Sequence, residues 1–331
     1  MVNQSMNKYV LFFVAACAAL LGVGSGSAAA QKSDYPAKSV RFIIPVPPGG
    51  GADLLARTIG QKLTEAWGQT LVIDNRGGAG GTIAVDMAAK AAPDGYTIVM
   101  GLIASIAVSV SLIKLPYDPV TDFAPITMLA VAQNILVVHP SLPAVSVKEL
   151  IALLKSKAGH YHYASAGNGT SPHLSAELFK LMTGVSMNHV PYKGAGPALV
   201  DLIAGQVEIY FGSLPATLPQ VKAGKLRVLA VTGSRRSQIV PDLPTVAEAG
   251  VPGFESNQWY GVLAPAKTPA WIADKLNRDF ITVLKLSELR ERLFSQGFEV
   301  VANSREEFSR YIREEIAKWA KVIKQAGIRA D

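Results

Sequence analysis

The stretch SVRFIIPVPPGGGADLLARTIGQKLTEAW, Ser39 to Trp67, decides how the fold is read. Ser39 to Ile44 is a short apolar run rich in β-branched residues, which suits a buried strand. The prolines of PVPPGGGAD then forbid a helix until Asp53. Beyond it Leu54, Leu55, Ile59 and Leu63 recur at helical spacing, with Asp53 placed to cap or charge the first turn. A strand thus runs into a glycine loop that opens a helix. Such a loop leaves backbone N–H groups unpaired at the positive end of a helix dipole, on the carboxyl edge of a sheet, where an anion is stabilised.

The same grammar recurs on both sides of the chain's middle. QTLVIDN leads into the glycine loop RGGAGG and a helix near Ile83 to Ala91, and the turn Pro93 to Gly95 leads into the strand YTIVMG. After about Ala130 a second series begins. It runs ILVVH, SVKELIALLKSK, YHYASA, the loop GNGTSPH, a helix through Leu181, NHVPY, AGPALVDLIAG, VEIYFG, SLPATLPQVKAG and LRVLAVTG. The pattern loosens after Gly233 and resumes with a helix around Trp271 to Leu284, the strand FEVVA and a long helix from Arg305 to Ala326. Alternating strands and helices predict an α/β protein with parallel pairing in both series. No repeat of fixed period and no low-complexity linker interrupts them.

Composition agrees with this and narrows the partners. The chain has 331 residues, enough for one large α/β unit or two lobes. At 49% hydrophobic and 17% charged it is no disordered chain. The formal net charge of +7 is spread thinly, with no basic run longer than Arg235-Arg236 and no interleaved aromatics, so no nucleic-acid partner is expected. At the N-terminus, Lys8 precedes the apolar run Tyr9 to Leu21 and then GVGSGSAAA, which reads as a secretory signal peptide over residues 1–30, cut between Ala30 and Gln31. Met6 offers a second start with a tidier charged region. Cys17, the only cysteine, sits in VAAC, a loose copy of a lipoprotein cleavage box. The apolar run continues through Ala18 to Leu21, which argues against a lipid anchor. The mature chain, free of cysteine, suits an exported bacterial protein of the periplasm. No later segment approaches the run of about 18 apolar residues that would cross a bilayer.

Motifs for catalysis, cofactors and metals mostly fail. In the dinucleotide register Gly78 and Gly80 are followed by Ile83 where Gly or Ala is needed, and PPGGGADLLAR lacks the Lys and Ser/Thr of a phosphate-binding loop. Ser165 and Ser213 both miss the nucleophile elbow of a hydrolase. His160 and His162 alternate at a strand start and fit one solvated face better than a metal, so no metal and no cofactor is expected. His173 falls in the first helical turn after GNGTSPH, where bracing the loop is the plainer role and ligand contact the other.

A set of stretches in fixed order then resembles one family. VPPGGGADLLAR, NRGGAGG, APDGYT, LPYDPVTDFAPIT, SLPAVSVKELIALLKSK, YASAGNGTSPHLSAELFK, VPYKGAGPALVDLIAGQVE, SLPATLPQVKAGKLRVLAVTGSRRS and PDLPTVAEAGVPGFE are similar to the substrate-binding proteins of tripartite tricarboxylate transporters, the Bug receptors. The resemblance covers nearly all of the mature chain. It implies an α/β, type II periplasmic-binding-protein fold, with two α/β lobes joined by two crossing strands, expected at Thr127 to Val138 and Arg227 to Thr232. Lobe 1 is expected over 31–131 and 233–303, lobe 2 over 132–232, and residues 304–331 as a helix packing across both. It further implies a small carboxylate ligand, delivery to the membrane permease subunits of such a transporter, a monomer, and no catalysis. A ligand-sensing accessory for a membrane regulator and an exported hydrolase are the rival readings.

Carried onto this chain, the family's ligand loops fall on the two loops already marked. In the first, Val46, Pro48, Gly49, Gly50, Gly51 and Ala52 would present amides to one carboxylate, the glycines allowing close approach. In the second, Ser165, Ala166, Gly167, Asn168, Gly169 and Thr170 would do the same, Ser165 and Thr170 adding hydroxyl donors, with His173 beside them. Tyr192 and Ser213 are further wall candidates. Asp53 and Arg57 are expected to brace the helix, and Gly77 to Gly81 to let the chain pass close to the first loop. One departure stands out: LIASIAVSVSL, Leu102 to Leu112, replaces a polar family stretch, leaving Ser105 to keep part of its role. Ile103, Ile106 and Val46 would then form an apolar wall favouring a mono- or dicarboxylate with an apolar or aromatic spacer.

Overall fold

A computed structural model describes residues 35–328. The expected signal peptide and Cys17 lie outside them. From Lys38 onward the chain forms one body, and its strand and helix order follows the alternation in the sequence. The strands are β1 (Val40–Ile44), β2 (Leu71–Asn75), β3 (Thr97–Leu102), β4 (Phe123–Val138), β5 (His162–Ser165), β6 (Asn188–Pro191), β7 (Ile209–Ser213), β8 (Arg227–Val231), β9 (Asn257–Pro265) and β10 (Glu299–Val300). The helices are α1 (Gly51–Trp67), α2 (Thr82–Ala89), α3 (Ser109–Leu112), α4 (Val147–Ser156), α5 (Ser171–Thr183), α6 (Ala195–Ile203), α7 (Leu214–Lys222), α8 (Ala270–Leu284), α9 (Ser287–Ser295) and α10 (Arg305–Ala326). No helix among the described residues is long and apolar enough to cross a membrane.

The strands join in the order β2-β1-β3-β9-β4-β7-β5-β6, with β8 and β10 also paired to β4. β1 lies parallel between β2 and β3, and β5 parallel between β6 and β7, so each half of the sheet carries its own βαβ units. β4 belongs to both halves. Its residues Phe123 to Gln133 pair with β9, Asn134 to Val138 pair with β7, and Ile135 to Val138 pair with β8. Its almost unbroken apolar composition follows, because it is buried on both faces.

The second crossing lies later than the sequence suggested. β8 pairs wholly within the second half, and the chain then stays there: Val246, Val251 and Phe254 pack into the cluster of Leu136, Phe179 and Phe211. Pro241 and Pro244 break any strand after Gly233, and the apolar side chains beyond them find their cover on this half. The chain returns only at Ser256, whose N–H donates to the Thr232 carbonyl. The crossing is held by a buried polar knot. Asn134 Nδ2 donates to Ser171 Oγ at 2.6 Å and Ser175 Oγ at 2.9 Å, Asn134 N–H donates to Thr232 Oγ1 at 2.8 Å, and Thr232 Oγ1 donates to the Ser256 carbonyl at 2.6 Å. Where a strand changes partners its backbone groups need side-chain partners, and these short polar residues supply them.

α10 seals the first half. Ser304 and Glu307 form a reciprocal capping box at its start, and Gly327 ends it in the left-handed conformation. Phe308, Ile312, Trp319 and Ile323 enter the cluster of Ile103, Ile106 and Trp259, which also takes Leu174 from α5 of the other half. The buried Glu315 carboxylate accepts from the indole N–H of both Trp259 and Trp319. One acid thus satisfies two donors that burial would otherwise strand.

Candidate functional site

The first loop is braced from behind. Asp53 lies buried at the start of α1, where its carboxylate accepts the Gly49 N–H at 3.0 Å and pairs with Arg57 at 3.0 Å. Arg57 also reaches Asn75 Oδ1, and Asn75 Nδ2 holds the Val46 carbonyl at 3.1 Å. The Gly49 amide is therefore committed to the brace rather than presented to solute. The first intrahelical bond runs from Leu54 N–H to the Gly50 carbonyl, so the amides of Gly51, Ala52 and Asp53 precede it and are the ones offered outward. Pro48 and Gly49 form the exposed tip, and Val46 is half-buried. Burial would raise the Asp53 carboxyl, but Arg57, the Gly49 amide and Asn75 outweigh it and hold it below 3.8. A depressed carboxylate stabilises the folded loop above its unfolded pKa and loses that contribution as pH falls through the folded value. The Gly49 amide resonance is accordingly expected to stay put from neutral pH to about pH 4, near the ordinary carboxylate range, and to shift only below it, an outcome NMR titration reads directly.

The second glycine loop supports the first. A Cβ on Gly77 would stand 2.6 Å from Pro47 Cδ, and one on Gly81 would stand 2.9 Å from Pro45 Cβ. The expectation that these glycines permit close passage agrees with this geometry. Gly77→Ala is expected to displace Pro47, lowering stability by about 1–3 kcal/mol as overpacking does, and to weaken ligand binding by about tenfold. Isothermal titration beside thermal unfolding separates the two effects.

The stretch after β3 takes a form the sequence did not announce. Ile103–Val108 winds as a π-helix, with Ser109 Oγ donating to the Ala104 carbonyl and the Tyr117 hydroxyl to the Ser105 carbonyl at 2.6 Å. Ser105 is fully buried against the first loop's supports. The apolar wall expected from Ile103 and Ile106 is not formed: both lie in the core under α10, with 1% and 0% exposure. The reason is tertiary, since α10 covers the face those residues would have shown to a ligand.

In the second half, the loop from Ser165 to Thr170 is tied internally. Ser165 Oγ meets His189 Nε2 at 2.6 Å and accepts the Gly167 N–H at 3.1 Å, while the Thr170 hydroxyl donates to the Gly167 carbonyl at 2.6 Å. Both hydroxyls expected to reach a ligand thus hold the loop, and the Thr170 proton is already spent. His173 Nδ1 accepts the Gly169 N–H at 3.0 Å, which is the bracing role, and its ring stacks on His189 at 4.2 Å. Tyr192 turns aside to donate to Asp201 Oδ2 at 2.7 Å, and burial followed by that acceptor pushes its phenol up to about 12. The amides of Gly167 and Gly169 are committed to Ser165 and His173, so the backbone left to a solute is that of Ala166 and the first turn of α5 beyond Thr170.

Loops of the two halves meet face to face. Gly194, which precedes α6, lies against Pro47. Gly80 faces the Asn168 carbonyl, and Gly169 faces Val108 and Leu112. Gly51, at the start of α1, lies against Ser213 Oγ and Pro215 at the start of α7, and against the Tyr260 hydroxyl from β9. The N-termini of α1, α6 and α7, together with the 165–170 loop before α5, therefore converge on one seam, where their dipoles favour negative charge. An open groove of about 480 Å³ lined by Ile113, Tyr117 and Asp118 lies away from this seam and shares none of its helix ends. Among the described residues no group of three or more acidic, His or Cys side chains forms a metal site. Tyr260, Tyr210 and Thr217 belong to the seam's surroundings and were not marked by sequence reading. They sit in apolar strands or a helix, and only their positions against Gly51 and Gly212 set them apart.

Comparison with known proteins shows the family of the chain. The profile described as tripartite tricarboxylate transporter family receptor matches residues 55–328. Protein BugT of Bordetella pertussis is 39% identical over 306 residues, covering 92% of this chain and 94% of its own. The solved structure of Rpa4515 from R. palustris with adipate superposes with a TM-score of 0.87 at 41% identity, covering 89% of this chain and 99% of that one. MatC from Rhodopseudomonas palustris with bound malate gives 0.83 at 33% identity, covering 87% and 100%.

Proposed function

The chain belongs to the tripartite tricarboxylate transporter receptor family, whose members are solute-binding receptors rather than enzymes, and we propose that it captures a small dicarboxylate, in the size range of malate and adipate, between its two halves. The observation that carries this is the seam of converging helix N-termini. The donors there are amides and hydroxyls, and the Arg57 guanidinium is committed to Asp53. Such donors hold a carboxylate by several charge-assisted N–H bonds without the desolvation of a buried ion pair. A ligand that touches both halves binds the closed form more tightly than the open one and shifts the hinge equilibrium by that difference. A micromolar constant, about −8.2 kcal/mol, lies within reach of a few such bonds. Two relatives solved with adipate and malate support the ligand class.

After export and cleavage near Ala30, the receptor would hand its ligand to the membrane subunits of a transporter of this family. Thermal shift across a panel of organic acids, followed by calorimetry, tests capture. A saturable rise in unfolding temperature with one or more dicarboxylates is expected, and a flat response to the whole panel would remove the proposal. Uptake of the acid so identified by cells lacking the receptor tests delivery: lost uptake supports it, whereas normal uptake assigns the receptor another partner.

A further inference from the structure

Tyr210 Oη and Thr217 Oγ1 are enclosed and have no hydrogen-bond partner in the protein, although each residue is 0% exposed. A buried hydroxyl without a partner is costly, and such groups persist where something outside the fold completes them. Both crowd the end of β7. A Cβ on Gly212 would collide with Thr217 Oγ1 and the Tyr210 ring, and the next residue is Ser213, at the N-cap position of α7. Gly51 and Tyr260 lie on the facing half, and the position a Gly51 Cβ would take is 3.0 Å from Tyr260 Oη and 3.4 Å from Ser213 Oγ. Burial, and then the neighbouring Tyr210 hydroxyl, raise the Tyr260 phenol, and burial raises Tyr210. Both phenols therefore keep their protons at physiological pH and can serve as donors without repelling an anion.

These groups form a donor set separate from the 165–170 loop. The N-termini of α1 and α7, of 17 and nine residues, abut at Gly51, Ser213 and Pro215. Tyr260 Oη stands at that junction, and one residue from Ser213 the Tyr210 ring and Thr217 Oγ1 crowd Gly212. On the other side, the Ala166 amide and the first turn of α5 stand beside the 165–170 loop. A monoacid has one charged end for two such sets, whereas a dicarboxylate has one for each. We propose that Tyr210, Thr217 and Tyr260, with the outward amides of α1, form the receptor for one carboxylate of a diacid whose other carboxylate lies on the 165–170 loop, and that these hydroxyls set the preference for diacids over monoacids. The inference rests on the reading of the seam as an organic-acid site and adds to it which residues select the ligand.

Calorimetry with straight-chain diacids from succinate to suberate, each beside the monoacid of equal length, tests this on the wild type and on Tyr260→Phe, Tyr210→Phe and Thr217→Val. The wild type should favour its best diacid over the matching monoacid. Loss of a hydroxyl bonded to a charged group should weaken that diacid by about tenfold or more and leave the monoacid nearly unchanged. Unfolding of the free variants provides the second readout. Because Tyr210 and Thr217 make no bond within the protein, their removal should leave the free receptor as stable as before or slightly more so. Variants that bind the diacid like the wild type, or that lose diacid and monoacid equally, would overturn the assignment while leaving the receptor function intact. A wild type that binds no acid of either series would overturn the organic-acid reading with it.

Discussion

Gly51→Val weakens ligand binding by about tenfold to a hundredfold, as expected for one to three kcal/mol of overpacking placed where the halves meet. Gly51 is the first residue of α1 and lies against Tyr260 from its own half and Ser213 and Pro215 from the other. A branched side chain there props the halves apart and crowds the amides that face the ligand. Valine is tolerable at the first position of a helix of this length, so folding should suffer little. Calorimetry shows the loss, and denaturant unfolding shows the retained stability. An unchanged dissociation constant would place the ligand away from the α1 terminus.

Phe308→Ala produces the largest loss of stability, about 3–5 kcal/mol, because it empties a site among fully buried neighbours. The ring meets Trp259 edge to face with centroids 5.8 Å apart and fills the space above Gly261, where any Cβ would collide with it. The same contact predicts a coupling. Gly261→Ala alone should be strongly destabilising, whereas in the Phe308→Ala background it should cost little, since the ring that excludes the methyl has gone. Urea unfolding of the two single variants and the double variant measures this. Additive losses would show that Gly261 is required for some reason other than the ring.

The fold was legible wherever local pattern and tertiary demand coincide. α10 runs from Arg305 to Ala326 as its spacing suggests, because the Ser304–Glu307 box and Gly327 mark both ends in the sequence itself. β4 was legible from its apolar run, since a strand shared by two half-sheets has no solvent face. The π-helix was not, because LIASIAVSVSL contains no proline or glycine to signal a wide turn. Ile103 and Ile106 look like a ligand wall only until α10, some two hundred residues later, is laid over them. The late return at Ser256 was hidden for a similar reason: Val246, Val251 and Phe254 follow no strand or helix period, and only their packing assigns them to the second half.

The candidate site divides the same way. Glycine loops opening helices announce their amides directly, and Gly51 and Ala52 lie where that logic puts them. Side-chain roles within the loops were less accessible. Ser165 and Thr170 have the right chemistry for a ligand, yet a loop this rich in glycine also needs internal ties, and it takes them from those two hydroxyls. Tyr192 is drawn off by Asp201, nine residues along its own segment. Tyr210, Thr217 and Tyr260 are ordinary in sequence, and only the approach of two helix termini from different halves gives them a shared place.

The central claim, closure of two halves on a carboxylate, is tested most directly by a distance measured across the seam. The proposed cleavage near Ala30 removes Cys17, the only cysteine of the sequence, so Ile83→Cys with Val200→Cys, two exposed positions on opposite halves, permits specific spin labelling of the mature receptor. Pulsed electron–electron spectroscopy should show a broad distance distribution in the free receptor that collapses to a single shorter distance at saturating adipate. Distributions that superpose with and without a diacid shown to bind would contradict closure.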